Sequence, residues 1–299
     1  MDYSLAQLRG FVAVAEELHF GRAAARLSMT QPPLTRQIQT LERALQVRLF
    51  DRGPGGVGLT AAGRAFLADA RRVLALVEAA PDSARRIAAG EIGTIRLGFT
   101  AIGAYAVLGD FLTMITKSLP GVSVALTEET SEVQFAGLAS GTLDLGLVRP
   151  PIPDDLASAP IHTEQLVLAI PAGHALAHGS GPVRLSEVAS DYIGYSPEGS
   201  RYLHDVCAAL VGVQDFLKAQ IASQVPTMLA LVRAGRGFAL VPRSCTAMRV
   251  ENVVYRELHD SDARTVTLHA AWHPDSTNPA LARLLPELGP AENPDQPHR

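Results

Sequence analysis

The chain from residue 91 onward alternates apolar runs of strand length with helical segments, and this alternation decides the fold class of most of the sequence. Three such runs come first, Gly93–Phe99, Val122–Glu128 and Leu143–Val148, and we expect each to form a buried strand. Segments of helical character, Ile102–Lys117 and Val133–Ala139, separate them. Strands that alternate with helices indicate parallel pairing through right-handed crossovers. This part therefore predicts a doubly wound α/β unit.

A second set of alternating elements follows the first. It comprises strands at Leu166–Pro171 and Asp191–Ser196, a helix at Tyr202–Gly212, and a helix, glycine-rich turn and strand within Thr227–Pro242. Thr265–Trp272 is placed to return the chain to the first unit, which Pro279–Leu288 would close as a helix. We therefore predict two lobes, about 91–162 with 268–299 and about 163–267. Two crossing strands would join them in a periplasmic-binding-protein-like clamp.

The cleft between the lobes is the predicted ligand site, because open α/β sheets bind ligands at the carboxyl ends of their strands. Hydroxyls, arginines and helix starts near those ends suit a carboxylate. The predicted effector residues are Thr100, Ile102, Gly103, Thr127, Arg149, Ser196, Arg201, Tyr202 and Thr227. Alternatives stay open for several of them. Arg149 and Arg201 can pair with acidic residues at the rim. Thr100 and Thr127 can be helix caps, and Tyr202 can belong to the core.

The first sixty residues carry a helical pattern instead. Ser4 and Gln7 form a capping box at the start of an amphipathic helix, and a short alanine-rich helix follows at Arg22–Leu27. A tight connection at residues 28–29 leads to a third helix. Its apolar residues step by 4, 3 and 4 positions and so share one buried face: Leu34, Ile38, Leu41 and Leu45.

Two consecutive prolines begin this third helix. Thr30 suits the N-cap, so Pro32 and Pro33 fall in the first turn, where amide hydrogens have no partner inside the helix and proline loses nothing. A short helix, a tight turn and a polar-faced helix are typical of a helix-turn-helix, whose second helix enters the major groove of DNA. The predicted DNA contacts of this helix are Thr30, Gln31, Pro32, Pro33, Thr35, Arg36 and Gln39.

A short ribbon is predicted after the third helix, with Val47–Arg52 and Val57–Thr60 pairing around a Gly-Pro-Gly-Gly turn. This wing would carry Arg52 to a phosphate or a minor groove. A plain three-helix bundle with solvated arginines is the alternative. The charge distribution favours DNA: residues 1–90 hold 12 Arg against 8 Asp and Glu, although the whole chain has a net charge of −4.

A connector helix is predicted from Thr60 to about Ala80, because Phe66, Ala70, Val73, Leu74 and Val77 recur at heptad-like spacing. Such a one-sided stripe packs either on a second copy of the chain or on the chain's own C-terminal domain. Pro81 predicts a kink or break. The predicted domains are thus residues 1–60 for DNA, residues 61–90 for dimerisation, and residues 91–299 for an effector.

A known family is recognisable in residues 19–52, HFGRAAARLSMTQPPLTRQIQTLERALQVRLFDR, and in LTAAGRAFL at 59–67. These stretches strongly resemble the N-terminal signature of LysR-type transcriptional regulators. The resemblance implies a winged helix-turn-helix with Gln31, Pro32, Pro33, Thr35 and Arg36 at the DNA, Arg52 in the wing, and a dimer formed through the linker helix. One departure is Gln46, where the family usually has glycine at the helix end, so that end is in question.

The resemblance also extends to an effector class. TQPPLTRQ, LTAAG and the arginine at position 149 are most similar to the branch that senses acids of aromatic catabolism, such as benzoate or muconate. In that branch Thr100, Arg149, Ser196 and Tyr202 would lie near the effector.

Motifs of other function classes are missing from the sequence. No GxSxG, Walker or dinucleotide glycine motif stands between a strand and a helix, and the two cysteines have no positioned base. His174 and His178 lie four apart among glycines without a third metal ligand. No apolar run of about 18 residues and no signal peptide is present, and the sparse cysteines fit a reducing cytoplasm.

The sequence therefore predicts a cytoplasmic LysR-type regulator with no catalytic residues, metal or cofactor. Its expected partners are double-stranded DNA, a small carboxylate effector and further copies of itself in a homodimer or homotetramer, with RNA polymerase as a further candidate and no membrane. Two rivals remain, a two-lobed α/β enzyme and a solute-binding protein, each acting on a small organic acid. A titratable pair or cofactor in the cleft would favour the enzyme, and an export signal would favour the solute-binding protein.

Overall fold

The computed structural model describes residues 3–53, 56–188, 191–211, 220–222 and 224–290. The chain divides into two compact units, Met1–Arg86 and Ile87–Arg299. In the described ranges, no helix combines the length and the apolar character needed to cross a membrane.

The first unit contains helices and one two-stranded ribbon. Its elements are α1 (Leu5–Glu17), α2 (Phe20–Arg26), α3 (Gln31–Leu45), β1 (Phe50–Gly53), β2 (Gly56–Leu59) and α4 (Ala61–Ala88), whose last two residues already belong to the second unit. The capping box at Ser4 is confirmed, since its amide donates to Gln7 Oε1 at 2.7 Å and the Gln7 amide donates to Ser4 Oγ at 3.3 Å. Phe11 of α1 and Leu34 and Ile38 of α3 are fully buried and form the centre of the core.

Helix α3 ends at Leu45, and Gln46 adopts the left-handed conformation with φ 56°. Its amide donates to the carbonyls of Arg43 and Glu42, as a glycine would at this position. The ribbon is shorter than the sequence predicted, because β1 begins at Phe50 rather than at Val47 and β2 ends at Leu59. The central turn residues 54 and 55 lie outside the described residues.

Helix α4 runs for 28 residues through Pro81, so the helix does not break at this proline, and a kink there stays a prediction. Proline removes one amide and crowds the carbonyl four residues earlier. The residues on both sides of Pro81, from Glu78 to Arg86, are all exposed, so water can reach the carbonyls of this part of the helix. The helix therefore continues, and its length of 28 residues corresponds to about 42 Å.

The second unit holds the remaining strands and helices. Its strands are β3 (Gly93–Phe99), β4 (Val122–Glu128), β5 (Leu145–Val148), β6 (Ala157–Pro171), β7 (Tyr192–Tyr195), β8 (Gln220–Ala222), β9 (Phe238–Pro242), β10 (Val253–Glu257) and β11 (Thr265–Trp272). Its helices are α5 (Ala101–Gly103), α6 (Gly109–Ser118), α7 (Ser131–Ala139), α8 (Arg201–Val211), α9 (Val225–Arg233) and α10 (Pro279–Leu284). A π-helical turn at Ala104–Leu108 joins α5 to α6.

The strands lie in the order β4-β3-β5-β11-β6-β9-β7-β8, and β10 pairs with β6. Strand β3 is parallel to β4 and β5, and β7 is parallel to β8 and β9. Strand β6 pairs with β11 up to Gln165 and with β9 from Leu166, so it passes from one lobe to the other. Each lobe has its own apolar core. The predicted two-lobed α/β architecture is confirmed.

Strand β4 is not buried, contrary to the sequence prediction. It is the edge strand of its lobe, and only Val122 and Val124 are half-buried, while Leu126 is 46% exposed. A strand with one neighbour and one covered face shows this alternation. The predicted helix at Ile102–Lys117 is interrupted by the π-helical turn, and the end of the predicted helix at Gly212 lies outside the described residues.

Candidate DNA-binding surface and inter-lobe cleft

The first turn of α3 begins as the sequence predicts, with Thr30 as an extended N-cap residue followed by Gln31, Pro32 and Pro33. The hydroxyl of Thr30 makes no capping hydrogen bond. An N-cap side chain accepts from the second or third amide of the helix, and both positions are proline. Thr30 is exposed, so its hydroxyl remains available to a partner.

One face of α3 is open to solvent while the other is completely buried. Leu34, Ile38 and Leu41 have 0% exposure. Thr35 is half-buried, and its hydroxyl donates to the carbonyl of Gln31 at 3.1 Å. The other predicted contact residues of α3 are exposed: Thr30, Gln31, Pro32, Pro33, Arg36 and Gln39. This set, with Thr35, is called the α3 face.

The basic character of the α3 face is not cancelled by neighbouring acids. Arg36 has no acidic partner among the residues that the structure describes. Glu16 is instead held by Arg71 at 2.6 Å and Arg26 at 2.7 Å. Hydrogen bonds from these two guanidinium groups, that of Arg71 first, lower the pKa of Glu16. An exposed guanidinium without a counter-charge can bind a phosphate or the edge of a guanine.

Arg52 lies in the wing but is held rather than free. Its guanidinium carbon lies 4.6 Å from the centre of the Phe20 ring, and its Nη2 lies 4.0 Å from Oε2 of Glu42. The side chain is still 39% exposed. The guanidinium of Arg52 is therefore held in place by Phe20 and Glu42 but is still accessible to a ligand.

A cavity of about 150 Å³ lies between the two lobes of the second unit. Four helix starts contribute to its wall: Thr100–Ile102 at α5, Thr130–Ser131 at α7, Gly199–Ser200 at α8 and Gln224–Val225 at α9. The first amides of a helix lack internal partners, and the helix dipole places partial positive charge there. The wall therefore favours an anion, except where Glu128 and Glu129 contribute to it.

Three of the nine predicted effector residues line this cavity, namely Thr100, Ile102 and Arg149. Thr100 is also a helix cap, because its Oγ1 accepts the amide of Gly103 at 3.1 Å. Gly103 itself is buried behind this cap and does not line the wall. The cap interpretation and the ligand interpretation of Thr100 are therefore compatible, since its hydroxyl hydrogen is still available for donation.

The remaining five predicted residues lie outside the cavity wall. Thr127 is exposed on the edge strand and Thr227 on α9. Ser196 is buried and accepts the amide of Gly199 at 2.9 Å, which shapes the turn before α8. Arg201 pairs with Asp205 at 3.0 Å on the surface. Tyr202 packs partly against the core of its lobe, and its hydroxyl accepts the amide of Thr267 at 3.3 Å.

Arg149 pairs with an acid, as one alternative foresaw, but inside the protein rather than at its rim. It is 4% exposed; Nη2 donates to Glu164 Oε1 at 3.2 Å and Nη1 donates to the carbonyl of Thr267 at 2.8 Å. Glu164 also accepts the amide and hydroxyl of Ser244 at 2.7 and 3.2 Å. Nε of Arg149 has no hydrogen-bond partner among the described residues. One buried donor is thus left over beside the cavity.

Tyr195 was not predicted as a site residue, although it lines the cavity. It is 1% exposed, its hydroxyl has no partner within the described ranges, and burial raises its pKa well above the ordinary value. In the sequence it stands inside a buried strand, where nothing separates it from a core residue. Tyr195 is recognised as a residue of the cavity wall only once the arrangement of the two lobes is known.

Metal and thiol chemistry find no support in the described part of the chain. No three His, Cys, Asp or Glu residues there form a group that could hold a metal ion. Cys207 and Cys245 are buried free thiols, and burial raises the pKa of each to about 12. His174 is the N-cap of a 3-10 turn, Ala175–His178.

Comparison with known proteins places both units in one family. Residues 5–64 match the bacterial regulatory helix-turn-helix protein of the lysR family, and residues 88–289 match the LysR substrate binding domain. The uncharacterized HTH-type transcriptional regulator YnfL of Escherichia coli is 38% identical over 88% of this chain and 90% of its own length. The HTH-type transcriptional regulator IlvR of Caulobacter vibrioides is 37% identical over 93% of this chain and 95% of its own.

The solved structure of full-length CbnR complexed with its target DNA superimposes with a TM-score of 0.75 and 30% identity, covering 95% of this chain and 98% of CbnR. These relatives are transcriptional regulators, so the prediction that the chain is not an enzyme is confirmed. The family matches also confirm the predicted combination of a DNA-binding helix-turn-helix and an effector-binding domain. The chain belongs to the LysR family of transcriptional regulators.

Proposed function

We propose that this regulator binds a small carboxylate in the cavity between its lobes and thereby changes its hold on double-stranded DNA. The observation that carries the proposal is the cavity wall, which four helix starts share with buried Arg149, whose Nε donor has no hydrogen-bond partner among the described residues. Helix N-termini and guanidinium groups are the usual binding partners of carboxylates. The neutral Tyr195 adds an apolar ring to the same wall.

Glu128 and Glu129 restrict the effector further, because they line the same cavity. A second carboxylate directed at them would be repelled. The end of the effector that faces these glutamates is therefore uncharged or donates hydrogen bonds. Among acids of the benzoate and muconate type, this favours benzoate-like monocarboxylates.

The DNA is bound by the α3 face together with Arg52 of the wing. Gln31 can read adenine, Arg36 can read guanine or bind phosphate, and the proline rings can contact a thymine methyl. Residues 1–60 form this DNA-binding domain, 61–90 the dimerising linker and 91–299 the effector domain. Lobes I and II of that domain are about 91–162 with 268–299, and about 163–267.

A homodimer or homotetramer forms through α4. Of the predicted stripe, Phe66, Ala70 and Leu74 pack in the core of the first unit, contrary to both alternatives, and Val73 is 41% exposed. Outside the stripe, Leu76 and Ile87 are 71% and 50% exposed. Exposed apolar side chains along one helix favour a second copy as their partner. The protein works in the cytoplasm, with RNA polymerase as a further candidate partner. Effector binding acts by favouring one of two domain arrangements, and so one spacing of the α3 helices on bent DNA.

The effector proposal is tested by calorimetry and thermal shift with three probes: benzoate, cis,cis-muconate and uncharged benzamide. Benzoate is expected to bind and raise Tm, muconate to bind more weakly, and benzamide to have no effect. Equal binding of benzamide and benzoate would contradict recognition of a carboxylate.

The DNA proposal is tested with a duplex that the wild-type protein selects from a random library. Arg36→Ala is expected to weaken binding by about 1–3 kcal/mol and to relax base preference. Arg9→Ala is the matched control, since Arg9 is an exposed arginine of the same unit that lies on α1 and not on α3. Equal losses of DNA-binding free energy in the two variants would show that Arg36 does not take part in base recognition.

A further inference from the structure

Glu42 connects the recognition helix to the wing. It lies on α3, three turns from the helix start, and its side chain is only 16% exposed. Oε1 accepts the amide of Leu49 at 2.8 Å and the amide of Phe50 at 3.1 Å. These two amides belong to the residues that enter strand β1, so one carboxylate oxygen fixes where the wing leaves the domain.

The second oxygen of the same carboxylate faces Arg52. Oε2 lies 4.0 Å from Nη2, while the guanidinium lies on the ring of Phe20 at 4.6 Å. Phe20 in turn packs on Phe50, with ring centroids 5.9 Å apart. Arg52 is therefore held from two sides, by a charge on α3 and by an aromatic ring at the start of α2.

A carboxylate beside a DNA-binding surface repels phosphate, so its presence calls for a compensating role. The neighbouring Asp51 serves as a comparison, because this acid of the wing is exposed and its side chain has no partner among the described residues. Glu42 instead engages both of its carboxylate oxygens: Oε1 accepts two amides at the start of the wing, and Oε2 faces the guanidinium of Arg52. Its charge is balanced by Arg52, and two amides are satisfied that would otherwise lack an acceptor.

We propose that Glu42 is a positioning residue: it holds the wing and Arg52 in the arrangement that contacts DNA, while touching no DNA itself. The inference rests on the proposed DNA-binding function. Its consequence is that Glu42 and Arg52 act as one unit. Loss of either side chain should remove the same contact with DNA. Loss of both should therefore weaken binding no more than loss of one, so the two losses of binding free energy should not add.

The experiment is a double-mutant cycle on the full-length protein with the duplex selected by the wild type. Fluorescence anisotropy measures Kd at several NaCl concentrations for the wild type, Glu42→Ala, Glu42→Gln, Arg52→Gln, and each Glu42 variant combined with Arg52→Gln. Asp51→Ala is the matched control, because it removes an acid from the same wing without removing an acceptor for Leu49 or Phe50.

Glu42→Ala and Arg52→Gln are each expected to raise Kd about tenfold and to lower the salt slope by about 0.9, the share of one phosphate contact. Glu42→Gln retains an acceptor oxygen but not the ion pair, so its Kd should lie between those of the wild type and Glu42→Ala. Both double variants should bind no more weakly than Arg52→Gln alone. Asp51→Ala should bind at least as tightly as the wild type.

Additive losses in the doubles, or an unchanged salt slope in Glu42→Ala, would overturn the proposal. If circular dichroism shows that Glu42→Ala is unfolded, the cycle with Glu42→Gln decides in its place. A wild-type protein that selects no duplex would instead refute the DNA-binding function. The two failures are therefore distinguishable.

Discussion

Replacement of Arg149 by methionine should destabilise the effector domain, because it removes the guanidinium that pairs with the buried carboxylate of Glu164. The ring of His162 then remains near this carboxylate, with its Nε2 3.8 Å from Oε1. The side chains of Arg149 and Glu164 are 4% and 5% exposed and meet at 3.2 Å. Removing one partner of such a pair costs about 3–5 kcal/mol. The Ser244 amide and hydroxyl, at 2.7 and 3.2 Å from Glu164, still support the carboxylate, so we expect the lower end of this range, about 3 kcal/mol.

The double variant Arg149→Met/Glu164→Gln should recover most of that loss. Neither charge is then buried, and the glutamine can still accept the Ser244 amide. Replacing both members of a buried ion pair is often neutral. We therefore expect the double variant to lie within about 1 kcal/mol of the wild type, the remainder reflecting the lost hydrogen bond to the Thr267 carbonyl.

Urea unfolding measures these free energies through the fluorescence of Trp272, the only tryptophan of the chain. Trp272 ends β11, the strand that carries Thr267, and it is 6% exposed in the core of its lobe. A loss below about 1 kcal/mol in the single variant, or equal losses in single and double variants, would refute the charge argument. Benzoate binding should be absent in both variants; a stable double variant that binds benzoate normally would show that Arg149 does not recognise the acid.

Three further predictions follow from other residues. Burial alone would raise the pKa of Asp144, but hydrogen bonds from Arg96 outweigh this effect and lower that pKa below 3.8. The stability that the charged carboxylate contributes is therefore present above that value and lost as the pH falls through the lowered pKa. Thermal unfolding across pH should show that Asp144→Asn costs about 1–2 kcal/mol at pH 7 and progressively less in acid. Leu76→Glu should lower the oligomeric state in analytical ultracentrifugation, whereas Glu78→Gln on the same exposed stretch of α4 should not; an unchanged mass for Leu76→Glu would contradict a self-association role for α4. Cys207 and Cys245, whose pKa values burial raises to about 12, should react with Ellman's reagent at pH 8 only after unfolding, and rapid labelling of the native protein would contradict their burial.

The sequence alone predicted those element bounds that are determined by residues next to them in the chain. Strands β3 and β11 have the predicted bounds, because their apolar runs end at glycine or polar residues on both sides. The start of α3 follows from the proline pair and Thr30 alone. Gln46 ends α3 in the left-handed conformation without help from a glycine, which the family pattern left in question.

Features that depend on distant neighbours were predicted less well. The exposure of β4 follows from its position at the sheet edge, which its own residues do not encode. Arg149 was recognised as a strand-end arginine, yet its partners come from 15 and 118 residues further along the chain. The link from Glu42 to the wing likewise needs the turn after α3 to be known.

The proline pair at the tip of α3 has a thermodynamic consequence for association. Pro32 and Pro33 carry no amide hydrogen, so this tip has fewer polar groups from which water must be stripped on contact. Their rings also leave little torsional freedom to be frozen. Docking of this end should thus proceed with a small entropic penalty, because much of the required order is already present in the unbound protein.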